Sequence, residues 1–221
     1  IGVVMPLNLP PDGDYRDAQF VAELMDQART KVTRFKDNPA LRMWGVGNEV
    51  MSGMDPDMYP AFLDAYMQIV DLFHQLDPNH PVIYREAEDE VVPVLAEKLQ
   101  DSGDMRPWLL YGMNIYDKDP RPLLDRWPSY GLDRPLVISE FGSQGDNPGE
   151  RAQAYLDMWH AIRVYSPYVI GGAPYAWTAA GPEPTDKIWG LMDAQSRPVD
   201  RTFELLSQAW RLEPTANRPK K

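Results

Sequence analysis

Cysteine is absent from the 221-residue sequence, which excludes a disulfide framework and thiolate chemistry. Histidine is scarce. His74, His80 and His160 fall on helical patterns or at a helix end, without the spacing of a metal-ligating set. No apolar run approaches the ~20 residues that span a bilayer. Basic residues are outnumbered, 22 against 33 acidic ones, and the net charge is −11. A surface of that sign repels phosphate backbones, and the only basic run is Arg218-Pro219-Lys220-Lys221. Neither nucleic acid nor a membrane is the expected partner. The Gly-x-Ser-x-Gly nucleophile elbow is missing, and Ser139 lies within a strand pattern. Gly45-Val46-Gly47 starts like a dinucleotide fingerprint, but Val50 takes the third glycine position and "MSGMDPD" follows instead of a helix. Also lacking are an initiator methionine and a signal-peptide pattern. The chain opens on "IGVVMPLNLP", inside what reads as a strand, so the expectation is a piece of a longer protein. Localisation is left open.

What is present suffices for one core: 43% of residues are hydrophobic and 11% aromatic. The 22 prolines cluster between periodic segments ("NLPPDG", "DNPA", "LDPNHP", "DRP") and punctuate them. Six apolar runs read as strands: "IGVVMPL", "LRMWGVG", "PVIYREA", "WLLYGMNIY", "PLVISEFG" and "VIGGAPYAW". Helical patterns separate them. Phe20, Leu24, Ala28, Val32 and Phe35 recur at helical spacing until Asp37-Asn38-Pro39 stops the helix. Asp55-Pro56 starts the next helix, with Phe62, Tyr66, Ile69, Val70 and Phe73 on its apolar face. A short helix is expected near Val94–Leu99, a short irregular segment around Leu123–Tyr130, and further helices near Glu150–Tyr165 and Arg201–Arg211. Strands that are apolar nearly throughout, alternating with helices, predict an α/β fold with a parallel sheet buried on both faces. An open doubly wound sheet and a (β/α) barrel both satisfy that pattern. One large domain over residues 1–212 and a frayed tail over 213–221 are expected.

In both architectures function gathers at the carboxyl ends of the strands. Those ends carry Asn8, Asn48-Glu49, Arg85-Glu86, Asn114-Ile115-Tyr116, Glu140 and Trp177. Strict alternation predicts that Gly45 and Gly47 share the face of Glu49 and leave space beneath its carboxylate, while Trp44 and Val46 pack outward on helices. Two carboxylic acids at one polar mouth suit glycosidic bond hydrolysis, in which one protonates the leaving oxygen and the other attacks the sugar or activates water. Asn48 is placed to bind a sugar hydroxyl, Tyr116 to donate to a carboxylate nucleophile, and Trp177 to stack on a sugar ring. The acidic stretch Glu86–Glu90 reads as a solvated loop rather than a calcium site, with Glu86 still in reach of substrate.

"WGVGNE" resembles the acid/base motif Trp-x-x-Gly-Asn-Glu of the clan A glycoside hydrolases. "PLVISEFGS" is similar to the nucleophile motif of the same clan, especially of family 2 and its family 5 neighbours. "NIY" resembles the clan's strand-six tyrosine segment, and "YAWT" with "IWGLMDAQSRPVD" resembles its eighth strand and closing helix. The resemblance covers most of the chain and implies a (β/α)8 TIM barrel whose strands three to eight are present here. It implies a retaining β-glycosidase with Glu49 as acid/base, Glu140 as nucleophile, Asn48 as the 2-hydroxyl contact and Tyr116 as the nucleophile's partner. Asn114, Glu86, Asn8 and Trp177 join them as candidate substrate contacts. The clan's arginine near the end of strand two has no counterpart in this sequence. A missing N-terminal segment or a second chain is expected to complete the barrel, and the strands at each end of this set would otherwise be open edges. The mechanism requires no metal or cofactor. A non-catalytic carbohydrate-binding barrel and a transglycosylase using the same glutamates are the alternative readings. The sugar, its linkage and endo or exo action are not legible.

Overall fold

The computed structural model describes residues 2–87, 89–132, 134–147, 149–166 and 168–212. The expected tail over 213–221 lies outside them. In chain order the elements are β1 (Val3–Leu7), α1 (Ala18–Phe35), β2 (Leu41–Asn48), α2 (Tyr59–Leu76), β3 (Val82–Glu86), α3 (Val92–Asp101), β4 (Leu109–Tyr116), α4 (Arg121–Arg126), β5 (Leu136–Gly142), α5 (Arg151–Val164), β6 (Val169–Pro174), α6 (Asp186–Trp189) and α7 (Thr202–Leu212). The strands follow one another in the sheet in chain order, with β1, β2, β3 and β4 pairing in parallel. The six strands described, joined by helical crossovers, form part of a (β/α)8 barrel fold, the architecture that the family resemblance implies and one of the two that the alternation allows. No described helix is long and apolar enough to cross a membrane. Two compact units divide the chain: one runs to Asn114 and includes Asp125–Val137, and the other comprises Ile115–Leu124 and the residues from Ile138 onward.

In the first unit, α1 begins where the Asp17 side chain accepts the Gln19 N–H, and it buries Leu24, Ala28 and Val32. Its end is fixed by Asn38, whose carbonyl and side chain accept the N–H groups of Leu41 and Ala40. Trp44 and Val46 of β2 are fully buried, and the Trp44 ring lies 5.3 Å from Phe73 of α2. That is the outward packing expected of them. A cluster of Phe62, Tyr66, Tyr84 and Tyr111 continues the layer between α2 and the sheet. At the amino-terminal side of the sheet, Trp44 Nε1 donates to Asp77 Oδ2 at 2.9 Å, and Asp77 is only 3% exposed. His80 Nδ1 meets the same oxygen at 2.8 Å. On β1, Val3 and Val4 are exposed, at 38% and 44%. The second unit packs Phe141 of β5 against Trp159 of α5, with ring centroids 6.1 Å apart, and buries Ile138, Ile162, Val169 and Leu206.

Several local expectations need correction. The turn after Asp55 is a 3-10 turn over Pro56–Met58, and α2 starts only at Tyr59. The segment expected to be irregular near Leu123 is the regular helix α4, continued by a 3-10 turn over Trp127–Tyr130. Asp119 accepts the Arg121 N–H and Pro120 accepts from Leu124, which together start that helix. The helix expected near Val94 begins two residues earlier, after a 3-10 turn over Asp89–Val91. Strand β6 ends at Pro174, so Trp177 lies in the loop beyond it rather than at the strand end. That loop contains the short helix α6.

Substituting Asp77→Ala leaves the buried Trp44 N–H without its acceptor. The expected loss is about 2–4 kcal/mol of unfolding free energy, read as a lower urea midpoint; an unchanged midpoint would remove Asp77 from the core's support.

Candidate functional site

Two groups of polar residues form at carboxyl ends of strands, one in each unit. In the first unit the group is built on the end of β2. Strict alternation does not survive there, because the pairing of β2 with β3 shifts register between Gly45 and Asn48. Gly47 takes φ +78, and a Cβ on it would come within 3.0 Å of the Tyr84 ring. Gly47 therefore abuts the outward aromatic layer and does not share a face with Gly45. A Cβ on Gly45 would lie 3.4 Å from the Arg85 guanidinium carbon. Arg85 Nε in turn donates to the Gly47 carbonyl at 3.3 Å. Of the two glycines expected to leave space beneath the carboxylate, Gly45 lies against Arg85 and Gly47 against Tyr84 on the outward side, which the alternation rule did not foresee.

Glu49 follows in the left-handed region, with φ +53, where a side chain with a Cβ is strained. Its N–H donates to the Arg85 carbonyl at 2.9 Å. Its carboxylate accepts the Asn114 amide at 2.7 Å, and the same amide nitrogen lies 3.2 Å from Asn48 Oδ1. Asn114 is 3% exposed, whereas Asn48 and Glu49 are half-buried. Asn48, Glu49 and Asn114 are therefore brought together from two strands. Asn8 is exposed just past β1 and takes no part in these contacts.

Glu86, expected to reach substrate from a solvated loop, has no exposed surface. Its Oε2 accepts from Tyr84 Oη at 2.8 Å, from Met51 N at 3.1 Å and from Ser52 N at 3.4 Å. Its Oε1 accepts from Ala87 N at 3.0 Å and from the Ser52 hydroxyl. Burial, and the Glu86 charge after it, push the Tyr84 phenol well above its ordinary pKa, so it stays a donor. In the rest of the Glu86–Glu90 stretch, Asp89 pairs with Arg126 at 2.9 Å and accepts from Tyr130, while Glu88 lies outside the described residues.

In the second unit, Glu140 of β5 is half-buried, and its Oε2 accepts the Tyr116 hydroxyl from the end of β4. The Tyr116 ring sits edge-on to Tyr175, with centroids 5.8 Å apart, and 5.0 Å from Trp189. Trp189 is held by its backbone: Arg151 donates to the carbonyls of Trp189 and Gly190 at 2.8 and 3.0 Å, and to Asp200 at 2.6 Å. Tyr155 donates to the Tyr175 carbonyl at 2.5 Å, and burial pushes its phenol up to about 12. Asp117, next after Tyr116, has φ +46 and ties the two loops together: its N–H donates to Gly142 O and its carboxylate accepts Gln144 N at 2.7 Å. Trp177 stands apart from this shell. It is 62% exposed and packs edge-on against Phe203, with centroids 5.9 Å apart. The aromatic neighbours of Tyr116 are Tyr175 and Trp189, which sequence reasoning missed. Tyr175 and Trp177 both lie past the end of β6 at Pro174, where strand alternation no longer sets their directions.

The model of the glycosyl hydrolases family 2 TIM barrel domain matches residues 12–171. A β-galactosidase of Alteromonas mediterranea is 24% identical over 174 residues, which is 75% of this chain and 14% of that enzyme. A β-galactosidase of Pseudoalteromonas haloplanktis is 24% identical over 173 residues, with the same two shares. The chain thus spans about one-seventh of the length of these curated relatives. Among solved structures, a family 2 β-galacturonidase of Eisenbergiella tayi bound to galacturonate aligns with a TM-score of 0.66 and 18% identity, over 90% of this chain and 38% of that one. A β-glucuronidase of Bacteroides uniformis aligns with a TM-score of 0.69 and 15% identity, over 96% and 29%.

Replacing Gly47 by alanine forces a Cβ toward Tyr84 at an unfavourable torsion. Chemical denaturation is expected to show a loss of about 1–3 kcal/mol; full stability in the variant would mean that the β2 end relaxes freely.

Proposed function

We propose a function from one premise: the chain belongs to glycosyl hydrolase family 2, as part of that family's TIM-barrel domain. The proposed activity is hydrolysis of β-glycosides with retention, using Glu140 as nucleophile and Glu49 as acid/base. One observation carries this reading. Glu49 follows the last residue of β2, Glu140 lies near the end of β5, and each carboxylate accepts a directed hydrogen bond, from Asn114 for Glu49 and from Tyr116 for Glu140. Such donors fix where each carboxylate points before substrate arrives, which is the preorganisation that proton transfer and nucleophilic attack require.

In the first step the Glu140 carboxylate attacks the anomeric carbon while the bond to the leaving oxygen breaks. Glu49 gives its proton to that oxygen. The product is a glycosyl ester on Glu140 and a free aglycone alcohol. In the second step Glu49, now a carboxylate, takes a proton from water as the water oxygen attacks the same carbon. The ester bond breaks, the sugar leaves as its hemiacetal, and both glutamates regain their starting states. The Tyr116 hydroxyl stabilises the charge on Glu140 when the ester is absent. Asn48, beside Glu49 and tied to Asn114, is placed to bind a hydroxyl of the sugar. No cofactor enters either step.

The relatives named above act on galactosides, galacturonides or glucuronides, so a β-linked hexose or hexuronic acid is the proposed substrate class. A (β/α)8 barrel carries eight β/α units, and six strands are present among the described residues. We assign the remaining units to another segment of the same polypeptide or to a second chain. The isolated 221 residues are then expected to turn over far more slowly than the complete barrel, and equal rates would refute that assignment.

In the complete barrel, Glu140→Gln is expected to abolish turnover. Glu49→Ala is expected to lower kcat/KM about 10²–10⁴-fold for poor leaving groups, to spare activated aryl glycosides, and to regain rate with added azide. Failure of azide to rescue, with the glycosyl azide absent from the products, would count against the acid/base role.

A further inference from the structure

Glu86 is a buried carboxylate that neither step of the proposed reaction uses. It is fully enclosed, and every hydrogen-bonding partner it has among the described residues donates to it. Two of those partners, Met51 and Ser52, lie just after Glu49 in the chain. The peptide before them is anchored as well, because the Glu49 N–H donates to Arg85, the neighbour of Glu86 on β3. The Met51 carbonyl accepts from Tyr59 Oη at 2.8 Å, which closes the turn from its far side. Residues 49–52 are thus pinned to β3 on both sides of the strained Glu49 torsion.

A left-handed glutamate keeps its conformation only where its surroundings over-determine it. Here the surroundings are the β3 backbone and the Glu86 carboxylate. We propose that Glu86 is a positioning residue that holds the backbone of residues 49–52 and thereby aims the acid/base Glu49. This proposal rests on the acid/base reading of Glu49 given above. Glu86 acts through the loop backbone; Asn114 acts on the carboxylate itself. The two constraints reach Glu49 from different strands, β3 and β4, so each is separately removable.

Glu86→Gln keeps the shape of the side chain. It turns one acceptor into an NH2 donor, which must then face the N–H and O–H groups that now donate to Glu86. A displacement of Glu49 by about 1 Å costs on the order of 100-fold in a step that depends on its proton. The complete enzyme should be assayed with methyl and dinitrophenyl β-glycosides of galactose, glucuronic acid and galacturonic acid, using the sugar it turns over. For Glu86→Gln, kcat/KM is expected to fall about 10–100-fold with the methyl glycoside, and about 3-fold or less with the dinitrophenyl glycoside, which needs no protonation. Equal losses on both substrates, or no loss in a folded variant, would overturn the proposal, since a purely structural residue does not discriminate leaving groups. If Glu86→Gln fails to fold, Ser52→Ala removes one donor from the same clamp at an exposed position. The same leaving-group pattern in Ser52→Ala supports the proposal, and its absence overturns it. Glu49→Ala, run in parallel, separates the two claims. Loss of leaving-group dependence in that variant refutes the role of Glu49, and this proposal with it. The dependence in Glu49→Ala without it in Glu86→Gln refutes the role of Glu86 alone.

Discussion

The left-handed turn at the end of β2 is the constraint on which the first polar group depends. A regular strand would carry the side chains of residues 45, 47 and 49 to one face. The register shift at Gly47 breaks that parity, and Glu49 leaves the strand with φ +53. A glycine at position 47 lets the backbone turn against the Tyr84 ring, and Arg85 ties the Gly47 carbonyl down from β3. The strain at Glu49 is offset by directed hydrogen bonds: the Arg85 carbonyl accepts the Glu49 N–H, the Glu86 carboxylate accepts the Met51 N–H, and the Asn114 amide donates to the Glu49 carboxylate. Removing any one of them acts on the direction of a carboxylate more than on the burial of a core side chain.

The second unit fixes its glutamate by a different means. Glu140 lies in a regular strand, and its direction is set by the Tyr116 hydroxyl. Tyr116 is itself wedged between Tyr175 and Trp189, whose backbones are held by Tyr155 and Arg151. Aromatic packing positions the hydroxyl, and the hydroxyl positions the carboxylate. The chain therefore offers two carboxylates of similar chemistry in different surroundings: one at a strained turn beside two amides, the other beside a phenol in an aromatic shell.

Much of the fold was legible because each strand is an apolar run bounded by proline or glycine, and because functional ends of parallel strands follow from the architecture. Asn48, Glu49, Asn114, Tyr116 and Glu140 were named from their places at those ends, and the structure pairs Glu49 with Asn114 and Glu140 with Tyr116. What was not legible depends on contacts between residues far apart in sequence. The bulge at Gly47 answers to Tyr84, and the burial of Glu86 answers to Met51 and Ser52. Neither leaves a mark in a window of ten residues. Trp177 reads as a strand end only if β6 runs three residues further than it does; the strand stops at Pro174, and Trp177 packs on Phe203 of α7 from the loop beyond. Helix α4 was missed because its start depends on the side chain of Asp119 rather than on apolar periodicity.

The most direct measurement is covalent trapping of the complete enzyme with an activated glycoside that carries fluorine at the sugar's second carbon. Fluorine there slows hydrolysis of the glycosyl ester, so the intermediate accumulates. Retention with Glu140 as nucleophile predicts that the protein gains the mass of one fluorosugar, that the label maps to the peptide containing Glu140, and that Glu140→Gln takes up none. A label on any other residue, or steady turnover of the fluorosugar with no labelled protein, would contradict it.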